Sequence, residues 1–504
     1  MKRRIRKVLI ANRGEIALRI IRTCKEMGIK TVAVYSEVDR LSCHVRQADE
    51  AYLIGPAAPG ESYLSMDKLI QVAKKSRCDA LHPGYGFLSE NAEFARLVEV
   101  NGIIFVGPSA TSIAAMGDKL QARAMVMRAG VPIVPGSKAP VRTSSRAQVA
   151  AKRVGYPILL KAAGGGGGKG MRIVSRENQL LGALRGAQRE AKGAFGDDRI
   201  YVEKVLSHPR HIEVQILADK YGNAVHLGER ECSIQRRFQK VVEESPSVYL
   251  DPEFRDNITQ AALSVGKACG YINAGTVEFL MDHKRNFYFL EMNTRLQVEH
   301  PVTEMRTGID IVQEQILIAA GEQLRYKQAD IELRGHAAEC RIYAEDPEND
   351  FMPSTGRIEC LQQAQGSGVR IDSSIEEGTD ISYHYDPLIS KLICWGQDRT
   401  HSLNRMNRAL REYHIQGIKT TIPFCLFAVN HPAFRKGEYD THFIPKYFSN
   451  EALKELDNDS ELGAVISSVL LRVQNSSPLG STGFSSDGAS HNGWKSRRLE
   501  QLSD

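Results

Sequence analysis

Apolar positions along the first hundred residues fall in short blocks that alternate between strand-like runs and helical spacing. KVLIA (7–11) reads as a buried strand and NRGEI (12–16) as the turn after it. ALRIIRTCKEMG (17–28) reads as a helix with Leu18, Ile21 and Met27 on related faces and Gly28 as its stop, and KTVAVYS (30–36) as the next strand. More of the same follows: a helix over 66–75, a strand at Ala80 and Leu81, the loop HPGYGFLSEN (82–91), a helix through Val98 and the strand IIFVG (103–107). Repeated strand–helix–strand units predict an open parallel sheet of Rossmann type.

After Gly107 and Pro108 the pattern changes. MGDKLQARAMVMRAG (116–130) is helical, VPIVPG (131–136) suits an extended connector, and a helix is predicted over 148–154. Two apolar runs, 156–160 and 171–174, flank KAAGGGGGKG (161–170), so strand, loop, strand is the reading, followed by a helix over 177–191 and the strand RIYVEKVL (199–206). HIEVQILAD (211–219), a turn at 221–223 and AVHLGERECS (224–233) predict a hairpin. AGTVEFLM (274–281) and NFYFLEMN (286–293) predict another, with Phe287, Phe289, Glu291 and Asn293 on one face by period-two alternation. Beyond Glu345, GRIECLQ (356–362), GVRIDSS (368–374) and the run 388–396 read as strands and HSLNRMNRALREYHI (401–415) as a helix. The fold class is thus α/β at the N-terminus and α+β beyond.

The glycine loop carries the first candidate chemistry. Five consecutive glycines, Gly166 and Gly167 among them, expose backbone N–H groups, and Lys161 and Lys169 bracket them, so the loop can close over a phosphate chain. A flexible linker is the alternative, although linkers usually mix in serine. GxGxxG is matched formally from Gly165, but a dinucleotide fingerprint opens a helix, and MRIVS is β-like. A Walker A loop would need glycine at Ala163 and serine or threonine at Gly170. Glu278 and Glu291 are carboxylates within apolar strands, costly to bury without compensation; together they offer hard oxygens for Mg²⁺, or they answer nearby arginines. In TRLQVEHPVTEM (294–305), Arg295 can hold a planar oxyanion, Gln297 can donate at its edge and Glu299 can serve as base, while a solvated loop would account for the charges alone.

Composition narrows the setting. The 504 residues, 42% hydrophobic and 25% charged, suit two to four domains, and a net charge of +6 from 66 basic and 60 acidic side chains gives nucleic-acid binding no special support. Nine cysteines without a CxxC pair predict reduced thiols in the cytoplasm. The apolar VLIA after MKRRIRK is too short for a signal sequence, and no run nears the roughly 20 residues of a membrane span.

The strings ANRGEIALRI, HPGYGFLSEN, MGDK, KAAGGGGGKGMR, RECSIQRR, EMNTRLQVEHPVTE and GHAAECRIYAEDP together resemble the biotin carboxylase component of biotin-dependent carboxylases, an ATP-grasp ligase, over about residues 5–448. The resemblance implies a Rossmann-like domain (1–115), an ATP-grasp domain (116–334) with a lid (about 132–204) and a C-terminal domain (335–448), and leaves a tail (449–504) outside it. It implies carboxylation of biotin by bicarbonate and ATP through carboxyphosphate, with Mg²⁺ or Mn²⁺. By it, Lys119 and Lys161 contact the nucleotide phosphates, Glu203, Lys204 and Leu206 border the adenine, and His211 and Gln235 face the ribose or phosphates, with Lys240 nearby. Glu278, Glu291 and Asn293 hold the metal, and Arg295, Gln297 and the Val298 backbone grip bicarbonate. Glu299 takes its proton, and Arg341 stabilises the biotin enolate, the alternative for Arg341 being an ion pair with Glu339 or Glu345.

The resemblance also implies a homodimer with Arg19 at the interface, and it leaves Lys391 a structural residue. With no AMKM-type motif in the chain, the expected partners are a separate biotin carboxyl carrier protein and carboxyltransferase subunits. Acetyl-CoA, within fatty acid biosynthesis, is the first expectation for the final acceptor; pyruvate, another acyl-CoA, or a non-catalytic scaffold of such a complex are the alternatives. Phe238 stands where many family members carry histidine, which predicts weaker ATP binding with unaltered chemistry. The Ser- and Gly-rich tail reads as disordered, with an amphipathic helix at 461–473, either inert or a docking segment.

Overall fold

In the computed structural model, residues 3–164 and 170–453 are described. The N-terminal unit is β1 (Lys7–Ile10), α1 (Gly14–Glu26), β2 (Lys30–Ser36), α2 (Cys43–Gln47), β3 (Glu50–Gly55), α3 (Met66–Lys75), β4 (Ala80–His82), α4 (Ala92–Val100) and β5 (Ile104–Phe105). Its strands pair in parallel in the order β3-β2-β1-β4-β5, the predicted open sheet. The helix α1 begins at Gly14, so half of the expected turn NRGEI belongs to the helix. Leu9, Val32, Val34 and Leu81 pack with Leu69, Phe94 and Val98 on one face of the sheet. Val8, Ile10 and Ala80 pack on the other with Ile16, Ile20 and, from the centre of the chain, Leu217 and Leu296. The second cluster anchors this unit to the rest of the molecule.

One predicted helix is two. α5 (Ala110–Gly117) and α6 (Lys119–Arg128) meet at Asp118, whose extended backbone breaks the helix while its carboxylate accepts from the N–H groups of Leu120 and Gln121, both at 3.0 Å. α7 (Ser144–Val154) starts a turn before its predicted place because the Thr143 side chain caps Arg146. β6 (Ile158–Ala162) and β7 (Arg172–Val174) form the glycine-loop hairpin, joined by β8 (Ile200–Lys204) in the order β7-β6-β8. α8 (Leu180–Phe195) follows a short 3₁₀ turn at Glu177–Gln179, where one continuous helix was expected.

β9 (Arg210–Ala218), β10 (Ala224–Arg236), β11 (Gln239–Ser245), α9 (Pro252–Ala268), β12 (Asn273–Met281), β13 (Phe287–Asn293), α10 (His300–Thr307), α11 (Ile311–Ala319) and β14 (His336–Tyr343) form the centre. Five of these strands, with β14 and the strands Leu388–Gly396 and Val369–Ser373, make one eight-stranded sheet in the order β13-β12-β9-β10-β11-β14-Leu388–Gly396-Val369–Ser373. The antiparallel pairing of β11 with β14, Val242 opposite Cys340, carries the sheet across the expected boundary between residues 334 and 335.

Two further expectations need correction. β13 does not keep period-two alternation: Thr276 to Glu278 pair with Asn293 to Glu291, but Phe279 pairs with Phe289, so Leu290 is an extra bulged residue. Phe287 and Phe289 therefore turn into the core while Leu290, Glu291 and Asn293 line the opposite side. GRIECLQ is not one strand but two short ones, Gly356–Arg357 and Cys360–Gln362, in different sheets. At the C-terminus residues 450–453 are helical and Leu453 is buried, so order extends past the expected start of the tail; its amphipathic segment 461–473 lies outside the described residues. Among the described residues no helix is long and apolar enough to cross a membrane.

Candidate active site

A cleft of about 870 Å³ opens between the strands β6, β7 and β8, the large sheet and the loop after β4. Gly84 and Gly86, at φ of +63° and +69°, let that loop turn tightly enough to carry Tyr85 into the cleft wall. Lys119, Lys161, Glu203, Lys204, Leu206, His211, Gln235, Lys240, Glu278, Glu291, Asn293, Arg295, Gln297, Val298 and Arg341 all line the cleft. Gly166, Gly167 and Lys169 fall outside the described residues.

The break at Asp118 puts Lys119 in the first turn of α6, where its ammonium lies 3.2 Å from Glu291. Glu203 is buried between Lys161, at 3.0 Å, and Arg123. The Lys204 ammonium is bonded to the carbonyls of Gly155 and Tyr156, at 2.8 and 3.2 Å, so what Lys204 turns to the cleft is chiefly backbone and alkyl chain. Leu159, Ile173, Leu206, Leu280 and Leu290 supply an apolar wall at this end. Gln235 Nε2 and His211 Nδ1 are hydrogen-bonded at 2.9 Å.

The other end is a lattice of charge. The Lys240 ammonium donates to three carboxylates: Glu213 at 2.5 Å, Glu278 at 2.8 Å and Glu299 at 2.6 Å. Burial alone would lower the Lys240 pKa, but these three hold it well above its ordinary value. Glu278 lies directly opposite Glu291 across β12 and β13 and also accepts from Asn293 at 2.7 Å and Gln297 at 3.1 Å. Burial pushes the Glu278 carboxyl up, yet Lys240 and His211 outweigh it and keep it below the usual range. Lys119 lowers Glu291 against the opposing effect of burial. Both carboxylates are thus ionised, and with the Asn293 oxygen they offer an all-oxygen donor set, which fits Mg²⁺. The partners of Glu278 are lysine, histidine and amides rather than the arginines of the alternative reading.

Arg295 spreads its guanidinium over Glu90 at 3.0 Å, Gln297 at 3.1 Å and Asn293 at 2.9 Å, with about a fifth of its side chain exposed to the cleft. Arg341 bridges Glu243 at 2.5 Å and Glu299 at 2.8 Å, not Glu339 or Glu345. Glu299 itself has no exposed surface: it sits behind Lys240 and Arg341, which overcome burial and hold its pKa well below the carboxylate range. Arg19 is buried within the chain against Glu304 at 2.9 Å and Asp310 at 2.8 Å. Lys391 reaches the Val298 carbonyl at 3.0 Å.

Glu213, Arg230, Glu243, Arg123 and Tyr85 belong to this site and were not singled out from sequence. Glu213, in HIEVQIL, carries the signal that marked Glu278, a carboxylate amid an apolar strand; Arg230, fully buried at 2.5 Å from Glu213, answers it.

Lysines aimed into a cleft under a glycine hairpin, beside paired carboxylates on a β-platform, define an ATP-dependent ligase of the ATP-grasp class. Family models described as biotin carboxylase N-terminal domain, carbamoyl-phosphate synthase L chain ATP binding domain and biotin carboxylase C-terminal domain match residues 4–113, 118–327 and 339–446. The chain is 52% identical to Biotin carboxylase 1 of Bacillus subtilis over 88% of its own length and 99% of that protein. It is 50% identical to the A subunit of pyruvate carboxylase from Methanothermobacter thermautotrophicus, covering 92% of this chain and 95% of that one. It is 51% identical to the mouse mitochondrial propionyl-CoA carboxylase alpha chain, of which it spans 65%. Among solved structures, the biotin carboxylase domain dimer of Hydrogenobacter thermophilus 2-oxoglutarate carboxylase, in complex with MgADP, ADP and bicarbonate, superposes with a TM-score of 0.86 at 49% identity, over 88% of this chain and 98% of that one. This chain belongs to the biotin carboxylase family.

Proposed function

We propose that this chain carboxylates biotin at the expense of ATP and bicarbonate as the first half-reaction of a biotin-dependent carboxylase. The arrangement of Arg295, Gln297, Lys240 and Arg341 around Glu299 and Glu278 supports this reading, because cations and amides gathered beside paired carboxylates suit a small planar anion next to a nucleotide's phosphates. The nucleotide lies with its base against Leu206 and the backbone of Glu203 and Lys204, and with its phosphates toward Lys119, Lys161, Gly166 and Gly167. His211 and Gln235 meet the ribose side. Glu278, Glu291 and Asn293 would hold Mg²⁺, which supplies charge neutralisation at the phosphates.

Arg295, Gln297 and the Val298 backbone hold bicarbonate. Glu299 is a poor base while Lys240 and Arg341 both bind it. An arriving anion that draws either cation toward itself removes part of what holds the Glu299 pKa down, so Glu299 gains basicity as the substrate seats. The bicarbonate oxygen then attacks the γ-phosphorus, ADP leaves, and the carboxyphosphate breaks down to CO₂ and phosphate. The phosphate takes the N1′ proton of biotin, Arg341 stabilises the resulting oxyanion, and N1′ attacks CO₂. Carboxyphosphate does not survive in water, which is why the lid must close.

The domain assignment 1–115, 116–334 with the lid at about 132–204, and 335–448 goes with this reading, as does a homodimer. Biotin would come on a carrier protein and leave to a carboxyltransferase. Of the relatives named above, those whose names give an acceptor concern pyruvate, propionyl-CoA and 2-oxoglutarate, so the expectation of acetyl-CoA and fatty acid biosynthesis finds no support in them, and the acceptor is better assigned by which transferase copurifies with the chain. All nine cysteines are free, as a reducing cytoplasm would keep them, though one named relative is mitochondrial. The test is ATP cleavage with bicarbonate, with and without free biotin. Strong stimulation by biotin, lost in Arg295→Ala, is expected. Cleavage driven by a different acceptor, or no cleavage at all as for a scaffold, would overturn the proposal.

A further inference from the structure

One cluster of ligand-bearing side chains has no part in the reaction above. His208 lies between β8 and β9, and Asp440 and His442 lie just before the helix Phe443–Tyr447. The two imidazole rings are 5.0 Å apart and tilted by 55°. Each turns Nδ1 toward the same carboxylate: His208 is 3.2 Å from Asp440 Oδ2, and His442 is 3.4 Å from Asp440 Oδ1. The carboxylate is fixed, because the His442 amide donates to Oδ1 at 2.6 Å. The two segments are in register, because the Thr441 amide donates to the Pro209 carbonyl at 3.0 Å.

We propose that His208, Asp440 and His442 form a binding site for a divalent transition ion, Zn²⁺ by preference, at the rim of the nucleotide cleft. A tetrahedral centre with bonds of about 2.0 Å to imidazole nitrogen and carboxylate oxygen sets neighbouring donors about 3.3 Å apart; the two imidazoles reach different oxygens of Asp440, at 3.2 and 3.4 Å, and one donor atom from each of the three residues lies within 4.8 Å of the others, so small side-chain rotations gather the set around one ion. Two imidazoles and a carboxylate suit Zn²⁺, Co²⁺ or Ni²⁺ and disfavour Mg²⁺, which asks for oxygen donors, so working Mg²⁺ leaves the site free. Half or more of each imidazole side chain is exposed, which leaves entry and a position for water.

The site's place gives the ion a consequence. His442, Thr441, Pro209 and Leu206 all line the cleft, whereas His208 lies outside its lining. An ion held by all three ligands would staple the segment bearing Leu206 to the segment bearing His442 and slow passage of nucleotide between them. This effect on turnover rests on the proposed reaction; the binding does not.

The experiment titrates the full chain with Zn²⁺ by calorimetry and with Co²⁺ by visible absorption, alongside His208→Asn and Asp440→Asn. One equivalent of ion, weakened at least about tenfold in either variant, is expected, with Co²⁺ bands of four-coordinate type that vanish in the variants. His208→Asn should keep its ATP cleavage in Mg²⁺ alone, while Zn²⁺ should inhibit the parent chain reversibly by chelator and spare the variant. Equal affinity in parent and His208→Asn would overturn the site, since the cysteines would then be the ligands, and so would absence of binding at neutral pH. Binding lost in the variants without any effect on turnover would keep the site and overturn its link to nucleotide passage.

Discussion

Glu339 is fully buried on β14 opposite Glu243 of β11, and neither of its carboxyl oxygens has a hydrogen-bond partner among the described residues. Two buried carboxylates side by side do not both ionise. Glu243 is the one answered, by Arg341; burial and the nearness of Glu243 push Glu339 well above its ordinary value despite Lys391 and Arg341. An acid raised on folding favours the folded state below its unfolded pKa, near 4.5, and that advantage is lost as pH rises toward the folded value. Glu339→Gln, which mimics the protonated acid, should therefore melt above the parent, and the gap should widen between pH 6 and pH 8 by up to about 1.4 kcal/mol per unit. A gap that does not change with pH would show that Glu339 is ionised.

Phe238 is a second case at this scale. It occupies a two-residue hairpin turn with Arg237, both at positive φ, and is exposed at the cleft edge. Phe238→His should lower KM for ATP at unchanged kcat, and an unchanged KM would remove the ring from nucleotide binding. Single residues such as Lys161, Glu278 and Arg295 were legible from the sequence because charge in an apolar strand or beside a glycine loop stands out. Lys240 and Arg341 entered through the family resemblance alone and Glu213 not at all, since these side chains meet only through strand pairing across long stretches of chain.

Among elements, the connector 131–136 ties the small three-stranded sheet to the large one, through Ile133 against Phe289 and Gly136 against Glu203. Gly136 bridges to Glu203, and a Cβ there would strike the Val202 carbonyl. The neighbour is backbone and cannot swing aside, so Gly136→Ala should destabilise by about 1–3 kcal/mol and raise KM for ATP through displacement of Glu203. Gly182, inside α8 with nothing within 4 Å of an added methyl group, is the contrast: Gly182→Ala should stabilise by roughly 0.5–1 kcal/mol. Melting curves of the two variants decide it, and equal shifts would mean that contact at Gly136 relaxes freely. Most helices and strands were readable from their periodicity. The break at Asp118 was signalled by Gly117 followed by an N-cap aspartate but was covered by the helical spacing that continues on either side of it, and the bulge at Leu290 lies at a residue with no special backbone preference. Both irregularities matter to the site: one sets Lys119 at a helix start, and the other turns Glu291 toward Glu278.

For the whole molecule, the eight-stranded sheet joins central and C-terminal regions that the sequence presents as separate blocks, because pairing of β11 with β14 is not a local signal. Its joint with the N-terminal unit adds an ionic contact to the apolar cluster. Lys391, with no exposed surface, lies beside Arg341 and Asp372 in strand register, 3.3 Å from Glu15 of α1 and 3.0 Å from the Val298 carbonyl. Burial pushes the Glu15 carboxyl up to about 7 even with that lysine near it. One ammonium thus ties the N-terminal unit and the C-terminal strands to the loop that is proposed to grip bicarbonate. Lys391→Met keeps much of the volume and leaves Asp372 to Arg370, so the loss should fall at the low end of the roughly 3–5 kcal/mol typical of a broken buried pair. The specific sign is kinetic: with Val298 released, KM for bicarbonate should rise several-fold while KM for ATP, set by the far end of the cleft, stays within twofold. If melting falls and both KM values hold, Lys391 serves cohesion alone, and the anion loop must be positioned from within the central sheet, through Gln297 and Glu278.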